Sequence, residues 1–93
     1  MTQSTILAAG TAAATSSDVV IAAGAVVTVG IFASSGAIPD GVVCSILQDT
    51  PGADVLLHDR LDANQPSAQI TGPGTFRIAR PVTSVAIGAF SEV

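Results

Sequence analysis

Lysine, tryptophan and tyrosine are absent from this chain of 93 residues, and cysteine and histidine occur once each, as Cys44 and His58. Each absence removes a class of function. The only cations are Arg60, Arg77 and Arg80, and the formal net charge is −4. A chain so poor in basic residues has no face on which a phosphate backbone binds, which argues against DNA or RNA as a partner. One cysteine forbids an internal disulfide, and one histidine beside it falls short of a zinc ligand set, so no metal or other cofactor is expected. No basic residue precedes Arg60, and the N-terminus therefore lacks the positive region of a secretory signal or transit peptide. The longest apolar stretch, Val19 to Phe32, carries Gly24, Thr28 and Gly30. It is shorter than the ~20 residues that cross a bilayer, so no membrane role is expected.

What remains is a chain that is 48% hydrophobic and 3% aromatic, with Phe32, Phe76 and Phe90 its only rings. Alanine and valine must build the core from small pieces. At this length the chain is a single domain, whose apolar burial and ordering entropy are of similar size. With no internal staple to add, association with other chains is the expected source of further stability. A charged fraction of 11% points the same way, being low for a surface wholly exposed to water.

Short runs of β-branched residues are broken at intervals by Gly, Pro, Ser and Asp, the pattern of an all-β sandwich or barrel. We expect a small antiparallel β-sandwich or jelly roll of about six to eight strands. Residues 18–93 would form the sandwich, and residues 1–17 an extended N-terminal arm with a possible short strand at Ser4 to Ala8. The segment from Asp18 to Ala33 reads as two paired strands turning near Ala23 and Gly24, with Val27, Val29 and Ile31 on one face. Pro39-Asp40-Gly41 and Pro51-Gly52 carry turn chemistry. Val42 to Asp49, Ser67 to Thr71, Thr75 to Arg80 and Thr83 to Glu92 are strand candidates; "VLLHDRLD" fits either a strand or a helical turn.

"GPGTFRIARP", Gly72 to Pro81, holds two of the three arginines. It lacks the following lysine and helix of a phosphate loop and reads as a tight bend entering a strand. Alternation sends Thr75, Arg77 and Ala79 to one face and Phe76, Ile78 and Arg80 to the other. Arg77 then faces solvent or an interface ion pair. Arg80, beside Pro81, reaches the rim, to pair either with one of the chain's own acids or with a neighbouring chain.

Catalytic and metal chemistry find little support. His58 and Asp59 are adjacent and on a strand would face opposite sides, with no second histidine to complete a site. Asp54, Asp59 and Asp62 match no calcium loop spacing. Ser16-Ser17-Asp18 reads as a cap or turn without a nearby base. Cys44 alternates with Val42 and Ile46, the place of a buried, inert thiol. No enzymatic activity is expected. Strand edges are a more telling feature, because lysine, inward charge or proline normally blunts them, and the stretch from Val19 to Ala37 carries no charge.

The order "LAAGTAAATSSDVVIAAGAVVTVGIF", "DTPGAD", "GPGTFRIARP" resembles small virion proteins of tailed bacteriophages, the capsid decoration or cement proteins above all. The resemblance spans Leu7 to Phe90 and rests on turn residues and strand texture. It implies a β-sandwich or jelly roll, made in the host cytoplasm, that adds to the outside of an assembled shell, frequently as a homotrimer. There it would bind the major capsid protein and clamp neighbouring capsomers. On that reading Thr2, Ile6, Leu7 and Thr11 in the arm, together with Arg77 and Arg80, are interface candidates. The alternatives are a tail, collar or fibre-base component of a virion, or a glycan-binding β module. The missing Trp and Tyr, the usual stacking platforms for sugars, weigh against the last.

Overall fold

Period-two burial runs along Val26–Ala33, where Val27, Val29 and Ile31 are buried and Val26 is exposed. The same alternation buries Phe76, Ile78 and Arg80 along Gly74–Arg80. Such strands have one apolar face and need a second layer to cover it. The computed structural model, which describes residues 3–52 and 56–93, supplies that layer with a second sheet.

Nine strands and no helix are found among the described residues: β1 (Gln3–Gly10), β2 (Ala14–Thr15), β3 (Val19–Ile21), β4 (Val26–Ala33), β5 (Cys44–Gln48), β6 (Leu56–Leu61), β7 (Ser67–Thr71), β8 (Gly74–Arg80) and β9 (Ile87–Glu92). One sheet has the order β1-β9-β4-β7 and the other β2-β8-β5-β6, with β3 also pairing along β8. All pairings are antiparallel. Counting β2 and β3 as halves of one interrupted strand, this is jelly-roll connectivity. The expected all-β sandwich is therefore the fold, and "LLHDRL" resolves as a strand.

Three expectations about its parts need correction. The N-terminal residues are built into the sandwich: β1 pairs with β9 from Gln3↔Glu92 to Gly10↔Ile87, and β2 pairs with β8. Ile6 and Leu7 pack against the core, and one side of the strand is hydrogen-bonded to β9 of its own chain. Second, β3 and β4 are not paired with one another; β3 joins β8 and β4 lies between β9 and β7. The Ala22–Ala25 connection, with Gly24 at φ 80°, carries the chain from one sheet to the other. Third, the charge-free β4 is a central strand with both edges hydrogen-bonded, and so needs no protection.

The core between the sheets is made of Val, Ile, Leu61, Ala89, Cys44 and one ring, Phe76. The other two rings lie on the outer face of the β1-β9-β4-β7 sheet. Phe90 is paired across from Gly30 and Phe32 from Gly88. A Cβ on either glycine would come within 2.5 Å of the opposing ring. Each ring lies flat over a bare glycine and covers backbone that would otherwise be wet. The accessible surface, 5038 Å², is close to the roughly 4,900 Å² expected of a monomer of this mass. General under-burial therefore does not drive association, and any such drive must come from particular edges and faces.

Candidate interaction surface

Arg77 and Arg80 take opposite faces of β8, as alternation requires. On the outer face Arg77 bonds Asp49 and lies 3.6 Å from Asp18. All three side chains are at least 30% exposed, where such pairs are worth little. Arg77→Ala should cost less than about 1 kcal/mol in urea unfolding, and less still in high salt.

Arg80 is only 7% exposed and meets neither expected partner. Its guanidinium donates from Nε to Ala12 O at 2.8 Å, and from Nη1 to Ala8 O at 2.9 Å and Ile87 O at 2.6 Å. One planar fork on β8 thus ties together β1, the β1–β2 connection and β9. The carbonyls lie inside its own chain, so Arg80 is a structural clamp and not an interface residue. Cys44 lies buried near it. Burial raises the thiol pKa, and the Arg80 charge partly opposes that shift. A thiol pKa raised by folding leaves stability intact below the unfolded value near 9.0. Above that pH the unfolded thiol ionises first, so stability falls as pH rises. Cys44→Ala should flatten this alkaline loss in pH-dependent melts, and in the native protein Cys44 should react with a thiol reagent only as fast as the chain opens.

The remaining sequence candidates disperse. Thr2 and Asp54 lie outside the described residues. Thr11 is exposed and its carbonyl accepts from Thr83 N–H at 2.9 Å. His58 stands edge-on to Phe76 with ring centroids 5.2 Å apart. Asp59 accepts from Arg60 N–H and the Gln65 side chain, and Asp62 from the Asn64 and Gln65 amides. These acids organise the β6–β7 turn. Among the described residues no cleft and no cluster of metal-ligating side chains is found, nor a helix long and apolar enough to cross a membrane.

The four sheet edges differ in how they end. Along β1, Ile6 O accepts from Ser17, through both N–H and Oγ, and Ala8 O accepts from Arg80. The β2/β3 edge is split into pieces of two and three residues by Ser16 to Asp18. Ser16 Oγ there accepts from Ile78 N–H. Along β6, Asp59 and Arg60 bring charge, and the Gln65 side chain donates to Arg60 O at 2.9 Å. Each of these is a recognised way to blunt an edge. At β7, "SAQIT", there is no charge, no proline inside the strand and no hydrogen bond to the outward backbone groups among the described residues.

Charge is partitioned between the sheets in the same sense. Glu92 is the single charged residue in β1, β4, β7 and β9, whereas the opposite sheet carries Asp59, Arg60, Arg77 and Arg80, with Asp18 and Asp49 beside it. The sequence signal for the open edge is a five-residue polar–apolar alternation without charge between Pro66 and Pro73. Only the strand order shows that this run is an edge, and that the longest strand of the charge-free stretch before it, β4, is central.

A scan against protein-family models finds no match, and searches of curated proteins and of solved structures find no similar chain.

Proposed function

We propose that this protein is a non-catalytic structural component of a phage virion, one that binds the outer surface of an assembled capsid and reinforces contacts between capsomers. The observation that carries the reading is the sparsely charged sheet, in which Glu92 is the single charged residue: an outer face rich in Thr, Ser, Gln and ring-capped glycine, bounded by an edge whose outward groups meet no hydrogen-bond partner among the described residues. Large proteinaceous surfaces are met by such faces, since few charges must be stripped of water on contact. The likeness of turn residues and strand texture to decoration proteins supports the same conclusion, with the major capsid protein as partner.

Mixing the purified protein with undecorated phage shells and imaging the product tests it. The expected density sits on the outside of the head, between capsomers. Density confined to a tail or collar, or none at all, contradicts the reading. His58→Ala should bind shells as the wild type does, because the imidazole touches only Phe76 among the described rings.

A further inference from the structure

We infer that β7 is a self-pairing edge, through which two copies of this chain join their sparsely charged sheets about a twofold axis at Gln69. The inference rests on the edge itself and stands or falls apart from capsid binding.

The hydrogen-bond phase of β7 follows from the ends of its ladder with β4. Ile31 N–H donates to Pro66 O, and Gly72 N–H to Ala25 O. Bonding alternates along an antiparallel pair. Ala68 and Ile70, opposite Val29 and Val27, therefore turn their backbone groups to β4. Ser67, Gln69 and Thr71 turn theirs outward, with exposed side chains. An antiparallel second copy overlaps this edge most fully in the symmetric register in which Gln69 faces its own equivalent and Ser67 faces Thr71, for up to about six inter-chain bonds. Pro66 and Pro73 bracket the strand and limit slippage.

A second copy is the fitting occupant on electrostatic grounds. Each chain carries −4, and most approaches would bring carboxylates together. Within the sheet that β7 borders, the strand charge is Glu92, opposite Thr28, which in turn lies opposite Gln69. The two Glu92 groups would then stand roughly 24 Å apart at normal strand spacing, beyond the ~10 Å screening length. A ring of three by strand pairing needs two different open edges on each subunit. β1 and β6 are blunted by hydrogen bonds from their own chain or by charge, and β2/β3 is cut into pieces of two and three residues, so β7 is the edge left for strand pairing, and one self-pairing edge closes as a dimer.

Sedimentation equilibrium in the micromolar range with two variants, and oxidative cross-linking of two others, tests this. The wild type should run at twice the mass of the 9.1 kDa chain. Gln69→Lys sets two like charges against each other at the axis and should halve that mass. Gln69→Pro removes an outward donor while sparing the β4 ladder, and should do the same. Both should keep the wild-type circular dichroism spectrum. Gln69→Cys places two thiols across a pair whose Cα atoms are about 5.5 Å apart, within disulfide range, and should give a disulfide-linked dimer under mild oxidation; Thr5→Cys should not. A monomeric wild type, a trimer, or an oligomer that survives Gln69→Lys with no cross-link at position 69 overturns the proposal.

Discussion

Arg80→Ala is expected to lower the unfolding free energy by about 4 kcal/mol, because three carbonyls lose a charged donor at once and each unsatisfied acceptor costs about 1–3 kcal/mol. For a domain of this size that corresponds to a drop in Tm on the order of 20 °C. The effect depends on geometry as well as charge. Arg80→Lys keeps the cation, but an ammonium cannot reproduce the planar fork that reaches Ala8, Ala12 and Ile87 together, and it should recover less than half of the loss. Arg80→Met keeps most of the volume and none of the donors, and should resemble alanine. Equilibrium urea unfolding of the three variants, with Arg77→Ala as the exposed comparator, measures the difference. Equal effects at the two arginines would mean that the buried fork contributes nothing special.

Gly72→Ala is expected to cost about 3 kcal/mol or more, through overpacking and not through lost contact. A Cβ at this position would collide with Ala22 O and lie 2.6 Å from Ile21 Cγ2 and 2.8 Å from Ile21 O. Two of these three obstacles are backbone, and they belong to the segment where β3 hands over to β4. That segment is itself pinned, since Ala25 N–H donates to Ala22 O and Ala25 O accepts from Gly72 N–H at 2.9 Å. The β7–β8 bend and the β3–β4 connection therefore cannot separate without breaking the end of the β4–β7 ladder. Gly24→Ala provides the contrast. It meets nothing within 4 Å and is disfavoured only by its positive φ, for about 1 kcal/mol. Thermal unfolding of both variants compares a steric cost with a conformational one. A Gly72→Ala protein as stable as the wild type would show that the close approach is not maintained in solution.

The local layer of this fold is legible in the residues. Alternation alone places Val27, Val29, Ile31, Phe76 and Ile78 inside and Arg77 outside, and "SAQIT" and "TFRIAR" are strands within a residue or so of their observed ends. The sheet to which each strand belongs is not legible, because period two records faces and says nothing of neighbours. The stretch from Val19 to Ala33 therefore reads as a hairpin, although its halves lie in different layers. Residues 3–15, small and uncharged, read as an arm, although their partners Phe90 and Arg80 lie more than sixty positions away. Arg80 is the clearest example. Its burial follows from alternation, but three carbonyls from distant segments can be assembled only by the finished topology. The candidate interaction surface is hidden in the same way: the charge-free run that draws attention, Val19 to Ala37, joins a short edge piece, β3, to the central strand β4, and the shorter run at Ser67–Thr71 is the open edge.

Amide hydrogen exchange along β7 bears most directly on the proposal that this protein works through contacts with other chains made by its sparsely charged sheet. In an isolated subunit the Ala68 and Ile70 amides are bonded to β4 and exchange slowly, while those of Ser67, Gln69 and Thr71 face water. The expected result is that the three outward amides gain about tenfold or more in protection as protein concentration rises, erasing the alternation. Persistent fast exchange at positions 67, 69 and 71, at every concentration and on shells as well, would contradict it.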